Sequence, residues 1–159
     1  MTPADFSAME CSVARTLDAI GDRWSLLIIR DAFYGVRRFD AFQRDLGVAR
    51  NILTDRLQKL VDKGVLERRQ YEERPPRYEY RLTEQGRDLV GVILAMMRWG
   101  DRWTLDGDPP VSIIHTTCGH VTQPVVTCSE CAQELRLGDL LADPIPVNGR
   151  EAGLLDPVA

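Results

Sequence analysis

The chain has 159 residues, of which 44% are hydrophobic and 28% are charged, a composition that suits one globular core with a small appendage. No apolar run in the sequence approaches the roughly 20 residues that a membrane span requires, and the N-terminal stretch lacks the basic and apolar regions of a secretory signal. We therefore expect a cytoplasmic protein without a membrane partner, in which cysteine clusters bind metal or sense redox state more often than they form disulfides.

The net charge of −4 conceals an uneven distribution. Residues 37–87 contain 13 Lys and Arg against 9 Asp and Glu, whereas the rest of the chain contains 7 against 15. A basic middle third in an otherwise acidic chain is typical of a segment that binds a polyanion such as nucleic acid.

Four helices are predicted in the first part of the chain. Residues 11–34 predict two of them, because apolar residues recur at helical spacing before and after a break just ahead of Asp22, the predicted N-cap of the second helix. Residues 38–46 and 49–63 predict two further helices that are joined by a tight turn at Gly47. Such a pair forms a helix-turn-helix unit.

A hairpin and a long helix follow. Two β-rich stretches, residues 65–71 and 78–82, flank the polar sequence Glu-Glu-Arg-Pro-Pro-Arg and predict a hairpin, which after a helix-turn-helix is the wing of a winged helix. Thr83 then caps a predicted helix, residues 83–104, that is apolar nearly all round. Since the chain has no second large core to cover this helix, we expect a partner subunit to do so.

The second helix of the unit, taken as residues 48–60, is the candidate reading element for DNA. Its polar face lies opposite a face of leucines, as a helix that enters the major groove requires. Arg50 suits guanine edges and Asn51 suits adenine edges. Thr54 and Arg56 suit phosphates, although Arg56 has an intramolecular ion pair as its alternative.

The wing, taken as residues 70–79, adds two arginines to this surface. Arg74 and Arg77 flank a Pro-Pro pair in a stiff loop that can grip the DNA backbone or enter a minor groove. An ordinary solvated, charged surface is the alternative for both elements. The predicted DNA contacts are Arg38, Arg50, Asn51, Thr54, Arg56, Gln58, Arg74 and Arg77.

The chain resembles the HxlR-type winged helix-turn-helix transcriptional regulators, relatives of the MarR group, in the stretches CSVARTLDAIGDRWSLLIIRDAFYGVRRFDAFQR, LTDRLQKLVDKGVLERRQY and PPRYEYRLTEQG. The resemblance covers residues 10–104. It implies a homodimer built from N- and C-terminal helices, a palindromic operator and control of nearby genes. Ala49 departs from the small polar residue often found at the start of the recognition helix.

Cys11 matches a position, just before the first helix, at which several members of that family sense oxidants or electrophiles. A thiol near a helix N-terminus experiences the positive end of the helix dipole, which favours the reactive thiolate. The alternative is a small, half-buried residue that packs well there. The resemblance thus implies an oxidant or a small molecule as the effector, with Cys11 as the candidate sensor.

The C-terminal sequence CGHVTQPVVTCSEC contains three cysteines and a histidine. Cys128 and Cys131 have the CxxC spacing that lets two thiolates reach one tetrahedral ion, and Cys118 and His120 begin ten residues earlier. We therefore expect these four residues to bind one structural zinc ion per chain in a zinc-ribbon-like appendage. His115 is a competing fourth ligand.

Two other states of this segment stay open. Cys128 and Cys131, with or without Cys118, could form a reduced or reversibly oxidised pair, or the thiols could pack as ordinary small apolar residues. The short length and modest apolar content of the segment favour zinc. The site would be closed and non-catalytic, because only Glu130 offers a nearby carboxylate, and we expect no enzymatic activity.

The chain is therefore predicted to be mainly α-helical with a small β-hairpin wing and a small β-rich appendage supported by two short strands, at 113–114 and 125–126. The predicted parts are the winged helix-turn-helix at 1–104, a linker at 105–111, the appendage at 112–143 and a tail at 144–159. The predicted function is a homodimeric repressor that binds double-stranded DNA. The rival is a winged helix that docks on proteins through its Cys/His segment, with weak DNA affinity that depends little on salt.

Overall fold

The computed structural model describes residue 6, residues 9–136 and residues 139–140. The chain divides into two compact units, Met1–Ile93 and Leu94–Ala159. The predicted linker, residues 105–111, belongs to the second unit, and the predicted tail falls outside the described residues. None of the helices within the described ranges has the length and apolar character that crossing a membrane would require.

Four helices open the first unit: α1 Ser12–Ile20, α2 Arg23–Phe33, α3 Phe39–Leu46 and α4 Arg50–Asp62. The prediction of four helices is confirmed. Asp22 caps α2 as predicted, since its carboxylate accepts hydrogen bonds from the amides of Trp24 at 3.1 Å and Ser25 at 2.9 Å. Gly47 ends α3 with a φ of 60°, which glycine adopts without a steric penalty. Ala49 precedes α4 without a side-chain cap.

The wing is an antiparallel hairpin of β1, Leu66–Glu73, and β2, Pro76–Leu82. Its strands extend closer to the tip than predicted, because the ladder continues to the pair Glu73–Pro76. Pro76 is tolerated there because it is the first residue of its strand. A bulge at Tyr71 shifts the register near the tip.

The predicted helix at 83–104 consists of two helices, α5 Glu84–Asp88 and α6 Val90–Trp103. Thr83 caps α5 as predicted, since its hydroxyl oxygen accepts a hydrogen bond from the Gly86 amide at 3.1 Å. The break at Leu89 is slight, because the Leu89 carbonyl still accepts a hydrogen bond from the Ile93 amide at 3.0 Å. The prediction of one continuous helix was wrong only at Leu89, where the helix is interrupted.

The core of the first unit joins α2, α3, α4 and the start of β1. Its most completely buried apolar side chains are Ile28, Ile29, Phe42, Leu53, Leu57, Leu60, Val65 and Leu66. The three leucines of α4 are the apolar face that the sequence predicted. Because all three are inaccessible to solvent, α4 has one fixed face toward the core and one toward solvent.

The second unit contains a short antiparallel hairpin of β3, Ile113–His115, and β4, His120–Thr122. The first predicted strand is confirmed, but the second, at 125–126, was wrong. The chain reverses directly after β3, so the residues that follow the turn complete the ladder, and both valines at 125–126 lie beyond it and are exposed. The predicted final helical turn lies partly outside the described residues.

Asp22 links α2 to α4. Its carboxylate lies 3.2 Å from the Arg56 guanidinium and 3.9 Å from the Lys59 ammonium. Burial raises the pKa of Asp22, but hydrogen bonds from Ser25 and the charges of Arg56 and Lys59 lower it, and the net result is a pKa below the ordinary value for an aspartate. The carboxylate therefore contributes stability in its charged form.

Replacing Asp22 should destabilise the fold in a pH-dependent way. We expect Asp22→Ala to lower the free energy of unfolding at pH 7 by about 1 to 2 kcal/mol, because α2 loses its cap, and Asp22→Asn to lower it less, because asparagine still caps. The ion-pair contribution is complete above about pH 4 and is lost as the pH falls through the folded-state pKa. Urea titrations at pH 7 and at pH 3 measure this. An asparagine variant as stable as the wild type at both pH values would contradict the ion-pair contribution.

Candidate nucleic-acid interface

Helix α4 has an exposed polar face whose residues are Arg50, Asn51, Thr54, Asp55 and Gln58. The Thr54 hydroxyl donates a hydrogen bond to the Arg50 carbonyl at 2.9 Å, and the Gln58 amide donates one to Asp62 at 2.8 Å. The Asn51 side chain makes no hydrogen bond within the described part of the chain. Of the predicted DNA contacts on this face, Asn51 is thus the one that can bind without giving up an internal contact.

Arg50 lies where α3 and α4 meet. Its guanidinium is 4.8 Å from the centre of the Phe39 ring, a distance typical of a cation–π contact. The contact holds the guanidinium over the first residue of α3, and the N–H groups at its edge remain able to donate. Arg50 therefore extends from the N-terminal end of α4 in a preset position.

The arginines at the wing tip are exposed. Arg74 forms the turn together with Pro75, and Arg77 lies 3.3 Å from the Glu72 carboxylate. Both members of this ion pair are largely accessible to solvent, so the pair contributes little stability and can be exchanged for another anion.

A groove of about 750 Å³ separates the wing from α3 and the start of α4. Among the residues that line it, Asp40 is the single acidic one, and Tyr71, Tyr78 and Tyr80 provide aromatic surface. Its five arginines are Arg38, Arg44, Arg50, Arg68 and Arg77. The groove therefore concentrates positive charge beside the exposed face of α4.

Two of these arginines stack on tyrosines of the wing. The Arg38 guanidinium lies 4.9 Å from the centre of the Tyr71 ring, and that of Arg68 lies 3.6 Å from the centre of the Tyr78 ring. Stacking orders each guanidinium while its N–H groups stay available for a planar anion such as phosphate. Arg38 was predicted from the sequence to contact DNA, whereas Arg68 and both tyrosines were not.

The wing reaches this position because it is bonded to the segment before α3. The Tyr80 amide donates to the Arg37 carbonyl at 2.7 Å, and a single β-bridge joins Arg38 to Glu79. Arg44 and Arg68, which are 24 positions apart in the sequence, converge only through this tertiary arrangement. The local surplus of positive charge was the one sequence signal that included them.

Arg56 differs from the other predicted contacts of α4 because it has an ionic partner within the fold. It forms the ion pair with Asp22 described above, and about a third of its side chain is exposed. The structure thus contains the ion pair that was the alternative for this residue, and the phosphate contact of Arg56 stays a prediction. Arg56 instead helps to hold α4 against α2.

Cys11 lies at the N-terminus of α1, as the sequence indicated. It is half-buried in an extended conformation, and its side chain makes no capping bond. Arg15, one turn later, directs its guanidinium to the Met9 carbonyl at 3.0 Å. Its role as a sensor stays a prediction.

The predicted zinc ligands are not gathered at one point. No group of three or more His, Cys, Asp or Glu side chains in the described ranges is close enough to share a metal ion. The sulfur of Cys118 lies 3.4 Å from Nδ1 of His115, whereas His120 is on the facing strand. Zinc binding by Cys118, His120, Cys128 and Cys131 therefore stays a prediction.

Cys128 is chemically distinct from an ordinary thiol. Hydrogen bonds from the backbone amides of Cys131 and Glu130, together with one from the Cys131 thiol, lower the pKa of Cys128. All four cysteines of the chain are free thiols in the structure. Cys128 is therefore predisposed to act as a thiolate, either as a metal ligand or as a nucleophile.

Known proteins are similar to this chain over most of its length. The model of the family described as HxlR-like helix-turn-helix matches residues 19–108. An uncharacterised HTH-type transcriptional regulator of Mycobacterium tuberculosis, Rv3095, is 43% identical over 136 residues, which are 85% of this chain and 86% of that protein. Since this match spans 136 residues, it must reach beyond residue 108 into the segment that carries the cysteines.

Two solved structures are also similar. The structure of PA1607, named as a candidate transcription factor, has a TM-score of 0.78 and 37% identity, covering 87% of this chain and 98% of that one. The redox regulator HypR in its oxidised form has a TM-score of 0.55 and 36% identity, covering 61% of this chain and 100% of HypR. Each of these two matches covers nearly the full length of the solved chain.

Proposed function

Because this chain belongs to the HxlR-like helix-turn-helix family of transcriptional regulators, we propose that it is a cytoplasmic repressor that binds a palindromic operator as a homodimer. The observation that carries the proposal is the groove of five arginines beside the exposed face of α4. A sequence-specific protein needs side chains that read bases and cations that bind the backbone, and this surface offers both in adjacent positions.

The base-reading part of the proposal rests on the N-terminal residues of α4. Recognition helices contact base edges mainly through such residues. Arg50 offers a guanidinium fork for guanine, and Asn51 offers a carboxamide for adenine. Asp55, on the same exposed face, would repel phosphates, so we assign it no DNA contact.

The backbone-binding part rests on the wing and the groove. Arg38 and Arg68 are held by stacking, and Arg74 and Arg77 extend from the tip. Because the chain as a whole carries a net charge of −4, attraction to DNA has to come from this local concentration rather than from the total charge. We therefore expect affinity to fall steeply with salt.

The dimer is proposed from apolar surface that each unit leaves open. In the second unit, Trp99 and Trp103 of α6 are each 63% exposed, and in the first unit Val13 of α1 is 68% exposed. Exposed tryptophans near a helix end are typical of interfaces, where aromatic residues supply much of the binding energy. Two copies of α4 held at one spacing would match two half-sites of a palindrome.

An oxidant is the effector that the comparisons favour, since HypR is named a redox regulator. We propose that Cys11 senses peroxide: its thiolate attacks one peroxide oxygen, the O–O bond breaks, and the thiolate becomes a sulfenate as water leaves. The half-buried position beside the N-terminus of α1 would make the larger, polar product disturb the packing of that helix.

The first prediction separates base reading from backbone binding. Selection from random DNA supplies the operator and its half-site spacing. Arg50→Ala and Asn51→Ala should each weaken operator binding by about 1 to 3 kcal/mol per half-site and change the preferred base. Arg68→Ala and Arg74→Ala should instead weaken all sequences alike and lower the salt slope by about one per half-site.

Arg136→Ala is the matched control for this experiment, because it removes the same charge from a side chain that is 77% exposed and outside the groove. Its salt slope should equal that of the wild type. If the wild-type protein binds DNA weakly and with almost no salt dependence, the protein-docking alternative is preferred.

The second prediction concerns the dimer. Trp99→Ala and Trp103→Ala should each weaken dimerisation at least about 30-fold, since buried aromatic anchors typically contribute 2 kcal/mol or more. Tyr34→Ala is the control, because Tyr34 is 54% exposed at the end of α2. Sedimentation equilibrium measures the association. A wild-type protein that stays monomeric at micromolar concentration would contradict the proposal.

The third prediction concerns Cys11. Peroxide should weaken operator binding by the wild-type protein, and a reductant should restore it. Cys11→Ser should bind the operator normally and no longer respond, because serine cannot be oxidised in this way. Fluorescence anisotropy with a labelled operator gives both readings. A Cys11→Ser protein with an unchanged peroxide response would remove Cys11 as the sensor.

A further inference from the structure

Two turns of the same construction lie in the second unit, and we call them turn 1, residues 115–119, and turn 2, residues 128–132. Turn 1 reads His-Thr-Thr-Cys-Gly and turn 2 reads Cys-Ser-Glu-Cys-Ala. Each has a metal-ligating residue type at its first and fourth positions. This repetition was not predicted from the sequence, where Cys118 was grouped with His120.

The backbones of the two turns agree closely. In turn 1, the Gly119 amide donates to the His115 carbonyl at 2.8 Å, and in turn 2, the Ala132 amide donates to the Cys128 carbonyl at 2.9 Å. The fifth residue of each turn has a positive φ, 72° in turn 1 and 58° in turn 2.

The conformation of turn 2 is unusual for its sequence. Ala132 is the one residue other than glycine with a positive φ in the part of the chain that the structure describes. A left-handed conformation is sterically unfavourable for alanine, so contacts outside this residue must impose the turn. The fifth residue adopts the same left-handed region in both turns, although only one of them has a glycine there.

The side chains of each turn are arranged as pairs. In turn 1 the sulfur of Cys118 lies 3.4 Å from Nδ1 of His115. In turn 2 Cys128 and Cys131 occupy the same first and fourth positions of a turn that is closed by the hydrogen bond from the Ala132 amide to the Cys128 carbonyl. Two cysteines at this spacing can reach one tetrahedral ion.

We propose that the two turns bind one structural zinc ion per chain through their first and fourth residues. The ligands are His115, Cys118, Cys128 and Cys131. Three thiolates and an imidazole form a closed tetrahedral set that suits zinc, whereas magnesium and calcium prefer oxygen ligands. His120, which lies opposite His115 in the β3–β4 ladder, is not included because it falls outside the repeated spacing.

Each turn is half of this site. Because no three of these side chains are close together in the described part of the chain, binding requires the connection between the turns, residues 119–127, to bring them together. That connection is mostly exposed, so little packing opposes the movement. Ile114 and Val121, which flank turn 1, are exposed as well. A segment with so little buried apolar surface gains most from a metal crosslink.

Metal analysis of the tag-free full chain, purified with a reductant, tests the proposal without DNA and so independently of the proposed regulation. We expect one zinc per chain, and cobalt substitution should give the visible absorption of a tetrahedral thiolate site. His115→Ala should weaken zinc binding more than the 10- to 100-fold typical of losing an outer-shell partner. His120→Ala, the matched control on the facing strand, should bind as the wild type does.

A second variant tests the same ligand position in case His115→Ala does not fold. His115→Cys makes turn 1 a CxxC turn, so it should bind cobalt tetrahedrally with a spectrum shifted by the fourth thiolate. Three results would overturn the proposal: a reduced wild-type protein that takes up no zinc when it is offered, loss of binding in His120→Ala with retention in His115→Ala, or a His115→Cys protein that binds no cobalt.

Discussion

The burial of three leucines on one face of α4 is the constraint on which the proposed DNA-binding surface depends. Leu53, Leu57 and Leu60 are inaccessible to solvent, and a helix with one buried face has no freedom to rotate about its axis. The opposite face is therefore fixed toward solvent. Because Arg50 and Asn51 are on that face, their side chains can serve recognition without any cost in core packing.

Charged side chains further fix the orientation of α4 and of the arginines on the surface. Asp22 caps α2 and faces Arg56 on α4, so one carboxylate couples a helix end to the orientation of the neighbouring helix. Cation–π contacts act similarly on the outer surface, where they hold Arg38, Arg50 and Arg68 in place. Ordering these side chains before binding lowers the conformational entropy that complex formation would otherwise cost.

Local features of the fold could be predicted from the sequence, and long-range ones could not. The caps at Asp22 and Thr83 and the turn at Gly47 depend on a few adjacent residues, and all three were predicted correctly. The arginine groove was missed because Arg44 and Arg68 meet only when the wing pairs with the segment before α3. In the second unit, the position of the turn decided which residues became β4, and a valine pair of high β-propensity was left outside the ladder.

The two units differ in what stabilises each of them internally, and this difference bears on the proposed regulation. The first has a contiguous buried core, whereas the strands of the second are largely exposed. Within the second unit, Arg98 of α6 donates to the Pro124 carbonyl and to the Glu134 carboxylate, so α6 is connected to the segment that contains both turns. Helix α6 also carries Trp99 and Trp103. If zinc orders that segment, Arg98 physically links the metal state of the cysteines to the surface proposed for the dimer. Oxidation of the thiols in turn 2 would then be a second route, separate from Cys11, by which an oxidant affects the proposed dimer.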